Sequence, residues 1–214
     1  MPRPMDESQV TVKKKIAVLI LAAGRSSRMN AFKPLLPLGG RTMIEALIHT
    51  YRSAGIWDIL AVLGHRAAEV RTVLARHDVA WIVNERYERG MFSSIQEGVR
   101  NLSPDNEAFF LQPADIPLIR PETLKSLLAA RREESAVVCY PCHEGRRGHP
   151  PLLAASLIPA ILAFDDPGGM RALLLRYRQY ALNVACDDPG ILMNLNTPED
   201  YEQMVTHVAE TENL

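Results

Sequence analysis

The sequence lacks a long hydrophobic run, an excess of charge of either sign and an even set of cysteines. Its longest apolar run, Ile16–Ala23, is far shorter than the roughly 20 residues that a membrane-spanning helix needs. The polar segment Met1–Lys15 does not resemble a signal peptide. The 24 basic residues are balanced by 25 acidic ones, which argues against a strongly basic nucleic-acid binder. Three cysteines suit a reducing compartment. We therefore expect a cytoplasmic protein that binds neither nucleic acid nor membrane.

The composition is that of an ordinary globular protein. Of 214 residues, 47% are hydrophobic and 23% are charged, which is enough apolar surface to bury one core of normal size. We expect residues 15–211 to form a single domain and residues 1–14 to form a flexible N-terminal tail.

Hydrophobic periodicity predicts a regular alternation of strands and helices. The predicted strands are Ile16–Leu21, Ile59–Leu63, Trp81–Val83, Ala108–Leu111, Ala136–Tyr140 and Ala181–Ala185. The predicted helices are Thr42–Ala54, Ala67–Arg76, Ser93–Leu102, Pro121–Arg131, Ala155–Phe164, Gly169–Tyr177 and Thr197–Glu210. Thr42 and Glu45 form a capping box, and Pro141–Pro151 is predicted to be a loop. The alternation indicates an α/β fold with a doubly wound, mostly parallel sheet and helices on both faces. Ligands bind such sheets beyond the carboxyl ends of the strands.

The loop after the first predicted strand has the chemistry of a phosphate site. It reads L-A-A-G-R-S-S-R-M-N-A-F-K from Leu21 to Lys33. Small residues let the backbone approach a ligand, and free amide groups in a turn attract anions. Arg25, Arg28 and Lys33 add positive charge that suits phosphate oxygens. The loop matches neither the dinucleotide fingerprint nor the P-loop, so a solvated basic loop is the alternative.

Six segments together resemble the MobA-like nucleotidyltransferases, the family of the molybdenum-cofactor cytidylyl- and guanylyltransferases. The first is the L-A-A-G-x-S-x-R-M-x-x-x-K loop. The others follow in order along the chain: Asn84 with Gly90–Ile95, Gln112–Pro117, Gly148–Pro150, Gly169–Leu174 and Asn194–Asp200. One such match is weak evidence, whereas six in the right order are strong. The resemblance extends from Ile16 to about Tyr201.

The resemblance implies a set of nucleotide-binding residues. They are Leu21, Ala22, Ala23, Gly24, Arg25, Ser26, Arg28, Lys33, Asn84, Gly90, Ser94, Pro113 and Ala114. Arg28 and Lys33 would also act in catalysis by offsetting the charge that develops on departing pyrophosphate. Cytidylyl-transferring members usually have Ala where this chain has Ala23, and guanylyl-transferring members have Gly. The resemblance therefore favours CTP over GTP. This chain departs from the family at Asn30, where Gly is common.

Asp115 is the candidate metal ligand and the third catalytic residue. It follows a buried strand between two prolines, and its carboxylate oxygens are the hard ligands that Mg²⁺ prefers. Capping of a turn is the alternative role for this aspartate. The resemblance implies Mg²⁺ ligation by Asp115, with Asn196 as the second ligand and Asn194 as the competing choice.

Four residues are candidates for contact with the acceptor substrate: Ser93, Ser94, His149 and Arg171. The two serines fall at a helix N-terminus, which suits an anion, although helix capping explains one of them. His149 is expected in a rigid, exposed turn, and Arg171 on a helix where a solvent-facing role is the alternative. Cys139 and Cys142 are two residues apart, but a structural zinc site would need a second such pair.

The reaction that the resemblance implies is transfer of CMP from CTP to the terminal phosphate of molybdopterin, or of the molybdenum cofactor, with release of pyrophosphate. Because a phosphate monoester is already a nucleophile, no general base is assigned. Alternatives are a guanylyltransferase on the same acceptor and a nucleotidyltransferase for sugar or alcohol phosphates. An alternative of a different class is a non-catalytic, nucleotide-binding chaperone for a molybdoenzyme. A molybdoenzyme is also a candidate partner of the enzyme.

Overall fold

The computed structural model describes residues 15–26, 29 and 31–212 of the chain. The expected tail over residues 1–14 lies outside the described residues, and so do Ser27, Arg28 and Asn30 of the first loop. No helix in the described part combines the length and the apolar character needed to cross a membrane.

The structure contains the alternation that the sequence predicts, with additional short strands. The strands are β1 (Lys15–Ala22), β2 (Pro37–Leu38), β3 (Arg41–Thr42), β4 (Asp58–Leu63), β5 (Ala80–Val83), β6 (Asn106–Pro113), β7 (Val138–His143), β8 (Arg146–Arg147), β9 (Leu152–Ala154) and β10 (Ala181–Ala185). The helices are α1 (Met43–Ser53), α2 (Ala67–Arg76), α3 (Met91–Arg100), α4 (Pro121–Glu134), α5 (Ile158–Ala163), α6 (Gly169–Arg176) and α7 (Pro198–Glu212).

Eight strands form one sheet in the order β10-β7-β9-β6-β1-β4-β5, and β8 pairs with β7 outside this path. The pairs β1–β4, β1–β6, β4–β5 and β7–β10 are parallel. Strand β9 is an exception because it runs antiparallel between β6 and β7. The predicted α/β fold with a mostly parallel sheet is confirmed.

The central strand β1 is buried on both faces, as its continuous apolar run predicts. Val18 and Ile20 pack with buried residues of α1, α2 and α4. Ala17 and Leu19 point to the opposite face and pack with buried residues of α3, α5 and α6. Helices therefore cover both faces of the sheet, and the polar loops at its edge are left to form a site.

Helix α1 begins with the predicted capping box. The Thr42 hydroxyl accepts a hydrogen bond from the Glu45 amide at 3.4 Å, and the Glu45 carboxylate accepts one from the Thr42 amide at 2.9 Å. The second carboxylate oxygen of Glu45 lies 2.9 Å from Nε2 of His77, the C-cap residue directly after α2. Glu45 thus joins the start of one helix to the end of another.

This arrangement predicts a pH-dependent contribution of Glu45 to stability. Burial raises the pKa of Glu45, but hydrogen bonds from His77 and Thr42 outweigh burial and lower the pKa to about 2 from its ordinary value of 4.5. A carboxylate with a lowered folded-state pKa stabilises the fold above its unfolded pKa, and this contribution is lost as the pH falls from about 4.5 towards 2. We expect Glu45→Gln to reduce the free energy of unfolding by about 1 kcal/mol at pH 7. Urea unfolding between pH 7 and pH 3 should show that difference shrinking, and a constant difference would contradict the prediction.

The prediction that Pro141–Pro151 is a loop is wrong for its first half. Strand β7 continues through His143 and turns back into β8, which places Cys142 opposite Arg147. The two turn residues, Glu144 and Gly145, have positive φ angles of 49° and 76°. Two residues with positive φ form the tight turn whose twist matches an antiparallel hairpin. Gly145 thus marks the turn of a hairpin, and Pro141 lies within strand β7, so neither residue ends the regular structure.

Candidate nucleotide-binding site

A cleft of about 610 Å³ lies at the carboxyl ends of β1 and β6. The chain passes from β1 to β4 and β5 on one side and then returns to β6 on the other. A reversal of this kind between neighbouring parallel strands leaves the crevice in which ligands bind. The residues that line the cleft are Leu21, Ala22, Ala23, Gly24, Ser26, Lys33, Pro34, Tyr87, Gly90, Met91, Ser94, Pro113, Ala114 and Asp115.

The first loop is held in place by hydrogen bonds to its neighbours. The carbonyl of Leu21 accepts from the Ala114 amide at 3.1 Å, and the carbonyl of Ala23 accepts from the His65 amide at 3.1 Å. The Ser26 hydroxyl accepts from the Lys33 amide at 3.2 Å and closes the loop. A Cβ added at Gly24 would meet no atom of another part of the described chain within 4 Å. The described part of the loop therefore presents open backbone to the cleft.

Lys33 and Asp115 bring opposite charges together inside the cleft. Nζ of Lys33 lies 3.4 Å from Oδ2 of Asp115, and the two side chains are only 14% and 26% exposed. Lys33 begins a short 3-10 turn whose next residue, Pro34, is buried. The loops that follow β1 and β6 thus place a cation and a carboxylate at one point. The sequence predicted both residues, and the structure brings them together.

The segment that contains Asn196 lies beside the Asp115 loop. The Leu195 amide donates to the carbonyl of Asp115 at 2.9 Å. The Asp200 carboxylate accepts from the amides of Asn196 and Thr197 at 2.7 and 2.8 Å. These backbone hydrogen bonds, Asn196 first, lower the pKa of Asp200, and the charge of Lys33 contributes in the same direction. Asn196 is therefore fixed next to Asp115, although it is not among the residues that line the cleft.

The donor atoms at this point fit a divalent cation that is shared with a phosphate ligand. Among the described residues, no group of three or more His, Cys, Asp or Glu side chains is arranged to hold a metal ion. Asp115 offers carboxylate oxygens, and the neighbouring Asn194–Asn196 segment offers amide oxygens. Mg²⁺ is commonly held by one or two protein oxygens, with substrate phosphates and water completing its shell. This donor set suits that mode of binding and does not suit a closed structural metal site.

Asn84, Ser93 and Ser94 form a hydrogen-bonded group at the start of α3. The buried Asn84 amide donates to the Ser93 hydroxyl at 2.9 Å and to the Ser94 hydroxyl at 3.0 Å. The Ser93 hydroxyl donates to the carbonyl of Gly90 at 2.8 Å. Of the three, only Ser94 lines the cleft. Asn84 and Ser93 therefore orient the turn and the first residues of α3 from behind the cleft wall.

Arg25 is outside the cleft lining and is already engaged by other side chains. Its guanidinium pairs with the Glu88 carboxylate and lies over the Tyr87 ring, 5.8 Å from the ring centroid. Hydrogen bonding to Tyr87 and the charge of Glu88 raise the pKa of Arg25 above its ordinary value. Arg25 is thus joined to the segment before α3.

His149 and Arg171 also lie outside the cleft lining. The expectation that His149 occupies an exposed turn is wrong, since the side chain is partly buried and its Nδ1 is buried with no hydrogen-bond partner in the described part of the chain. Burial lowers the pKa of His149, while the nearby charge of Asp115 acts in the opposite direction. The His149 amide donates to the Ile191 carbonyl at 3.0 Å. Arg171 is exposed on α6.

Three residues that sequence reasoning missed complete the cleft: Pro34, Tyr87 and Met91. Tyr87 and Met91 both fall between Asn84 and Ser94. Met91 belongs to the Gly90–Ile95 segment that carries the family resemblance, but neither residue was predicted to contact a ligand. For Tyr87, the available signal was an aromatic residue between Asn84 and Gly90, the two neighbouring positions that match the family. Met91 is 60% exposed at the cleft and begins α3.

Comparisons with known proteins agree with this architecture. A bifunctional protein GlmU from Alkalilimnicola ehrlichii is 32% identical over 120 residues, which are 55% of this chain and 26% of GlmU. This chain thus matches only about a quarter of that relative's length. A nucleotidyl transferase from Methanothermobacter is 28% identical, with a TM-score of 0.78 over 92% of this chain and 99% of the other.

Two further solved structures share the fold. A Mycobacterium tuberculosis protein, solved in complex with manganese, has 22% identity and a TM-score of 0.75, covering 90% of this chain and 99% of its own. Molybdopterin-guanine dinucleotide biosynthesis protein A from Archaeoglobus fulgidus has 17% identity and a TM-score of 0.68, covering 91% and 99%. The family model for the MobA-like NTP transferase domain matches residues 18–182, which include the first loop, Lys33 and Asp115. The chain therefore belongs to the MobA-like NTP transferase family.

Proposed function

We propose that this nucleotidyltransferase is a molybdenum cofactor cytidylyltransferase, which uses Mg²⁺ to move CMP from CTP to the terminal phosphate of molybdopterin. The observation that carries the proposal is the cleft in which Lys33 and Asp115 lie 3.4 Å apart at the carboxyl ends of β1 and β6. A cation for phosphate oxygens and a carboxylate for a metal ion converge there, which is the arrangement that nucleotidyl transfer needs.

In the proposed reaction an oxygen of the acceptor phosphate attacks the α-phosphorus of CTP, and pyrophosphate leaves. Lys33 offsets the negative charge that develops on the leaving group, and Arg28 is proposed to do the same. Asp115 would hold the divalent cation together with Asn196, with Asn194 as the alternative second ligand. The bound cation would neutralise triphosphate oxygens. Catalysis then comes from positioning and charge neutralisation, without a general base.

Ala23 supports CTP as the nucleotide. Ala23 directly follows β1, the residue is 5% exposed, and it lines the cleft beside Gly24. A methyl group at this position narrows the space for a base, which favours the smaller pyrimidine ring.

This argument predicts that Ala23→Gly shifts the nucleotide preference towards GTP. One methylene-sized change in a pocket alters discrimination by about tenfold, so we expect the ratio of kcat/KM for CTP over GTP to fall by about that factor. Steady-state pyrophosphate release with each nucleotide measures the ratio. Ala22→Gly is the matched control, since it removes a methyl group from the neighbouring cleft residue. If Ala23→Gly left the ratio of kcat/KM for CTP over GTP unchanged, Ala23 would not determine which nucleotide the protein prefers.

The start of α3 supports a phosphorylated, ring-containing acceptor. The Ser94 hydroxyl and the helix N-terminus favour an anion at this wall of the cleft. The exposed Met91 side chain beside them offers a polarisable, apolar surface to a flat ring system. His149 and Arg171 remain candidates for acceptor contact from outside the cleft lining.

The first experiment is a pyrophosphate-release assay with CTP, GTP and ATP in Mg²⁺ and in Mn²⁺. Each nucleotide is tested without an acceptor, with molybdenum cofactor, and with a sugar phosphate or an alcohol phosphate. Release that requires both CTP and the cofactor would support the proposal. Release with GTP would support nucleotidyl transfer to the cofactor but contradict the proposal that the nucleotide is CTP. Release only with a sugar or alcohol phosphate would replace the acceptor. Tight CTP binding without turnover on any acceptor would indicate a non-catalytic nucleotide-binding chaperone.

A further inference from the structure

Arg25 is attached to the opposite wall of the cleft by two contacts. Its guanidinium forms an ion pair with Glu88 and lies over the ring of Tyr87, 5.8 Å from the centroid. Both partners belong to the short 3-10 turn Tyr87–Arg89, between β5 and α3. The first loop after β1 and the turn before α3 are therefore joined directly.

The Tyr87 ring is itself packed into a fixed position. A Cβ added at Gly64 would lie 2.7 Å from Cγ of Tyr87 and 2.8 Å from the Ala23 carbonyl oxygen. The ring therefore lies against Gly64, close to the backbone of Ala23. The centroids of the His65 and Tyr87 rings are 6.4 Å apart. Since Tyr87 also lines the cleft, its position sets the distance between this wall and the first loop.

The charges of this group do not suit a phosphate ligand. The Glu88 carboxylate already neutralises Arg25, and it places a negative charge near the cleft that would repel a triphosphate. We infer that Arg25, Tyr87 and Glu88 form a clasp that holds the first loop in its nucleotide-binding position, and that Arg25 acts through this clasp and not as a ligand of phosphate. The inference rests on the proposed function, because it concerns binding of the nucleotide substrate.

A clasp and a phosphate-binding role of Arg25 predict opposite effects of Glu88→Ala on the affinity for CTP. If Arg25 bound phosphate, Glu88→Ala would free its guanidinium, remove a repelling charge and strengthen CTP binding. If the clasp orders the loop, Arg25→Ala and Glu88→Ala both weaken binding. The double variant then binds CTP no more weakly than Arg25→Ala alone, because Arg25→Ala already removes the contacts with both Glu88 and Tyr87. The Arg25 and Glu88 side chains are 59% and 62% exposed, so we expect a rise in Kd of about three- to fivefold, as for other exposed ion pairs.

The test is calorimetric titration of CTP with Mg²⁺ into the wild-type protein, the two single variants and the double variant, with steady-state kinetics on each. We expect Kd and KM for CTP to rise together, while kcat changes less than KM. Arg100→Ala is the control, because Arg100 forms an exposed ion pair with Glu97 in the last turns of α3. It should leave Kd for CTP unchanged.

Tighter CTP binding by Glu88→Ala, or additive losses in the double variant, would overturn the clasp. In that case wild-type protein still binds CTP, and the proposed function stands. The wild-type protein is also titrated with GTP and with ATP, and if it binds none of the three nucleotides, the proposed function itself is contradicted, and the clasp with it. The two failures are therefore distinguishable from one set of titrations.

Discussion

Lys33→Ala and Asp115→Ala are each expected to lower the rate of pyrophosphate release by at least about 100-fold, which is the typical cost of removing one preorganised charge stabiliser. Lys33 is the described cation at the cleft, and Asp115 is the carboxylate that lines it. Among the described residues that line the cleft, no other side chain carries a full charge, so none of them can replace either group. Asp115→Ala should also weaken binding of Mn²⁺, which electron paramagnetic resonance measures without turnover.

The same two strands provide a matched control at their opposite ends. Lys15, at the start of β1, pairs with Asp105, just before β6, at 3.6 Å, and both side chains are largely exposed. Lys15→Ala and Asp105→Ala make the same chemical changes on the same pair of strands, at the amino ends. They should leave turnover within about twofold of wild type, as expected for an exposed ion pair. Near-normal turnover in Lys33→Ala and Asp115→Ala would refute the proposed mechanism.

Hydrophobic periodicity predicted the longer strands and helices, because packing of one face against the core imposes the repeat that the sequence shows. Strands β4 and β10 and helix α2 have the predicted bounds or differ by one residue. The hairpin of β2 and β3 was missed, although Gly39 and Gly40 turn it with positive φ angles of 55° and 72°. Each of its strands has two residues, which is too few to display any period. Strand β9 was also missed, since its three residues follow a proline pair.

The sequence predicted the site residues that are placed by the ends of strands. It did not predict those whose placement depends on contacts between side chains. A small-residue loop after β1 and an aspartate after β6 are visible in the sequence, and parallel strands bring their carboxyl ends to one edge. The placement of Asn84 behind Ser94 depends on hydrogen bonds across a turn. The pairing of Arg25 with Glu88 depends on two loops that are 63 residues apart in the chain. No local pattern encodes either contact.

The most consequential contact of this kind lies under the Asp115 loop. Gln112, in β6, is fully buried, and its side-chain amide donates to the carbonyls of Pro113 and Ile116 at 2.7 and 3.0 Å. Its side-chain oxygen accepts from the Tyr51 hydroxyl at 2.8 Å. The two donated hydrogen bonds span Asp115, so the side chain of Gln112 fixes the backbone on both sides of the proposed metal ligand. The Tyr51 hydroxyl fixes Gln112 in turn.

Gln112→Leu should therefore reduce both stability and catalysis. It leaves the Tyr51 hydroxyl and the Ile116 carbonyl without this partner, and the Pro113 carbonyl keeps only its hydrogen bond from the Ile116 amide. The loss should cost about 3 kcal/mol of unfolding free energy. Displacement of the Asp115 loop should also lower kcat by about tenfold or more, since small misplacements of a catalytic group are costly.

Tyr51→Phe separates these two effects, because it removes one hydrogen bond and leaves the two that span Asp115. We expect the free energy of unfolding of Tyr51→Phe to fall by about 1 kcal/mol and its kcat to stay at the wild-type value. Urea unfolding and steady-state kinetics on both variants make the comparison. If folded Gln112→Leu protein kept normal kcat, the Gln112 side chain would serve stability alone. The loop would then owe its position to the Leu195–Asp115 and Ala114–Leu21 backbone hydrogen bonds. Loss of kcat in Gln112→Leu but not in Tyr51→Phe would instead show that a buried amide outside the cleft sets the position of the proposed metal ligand.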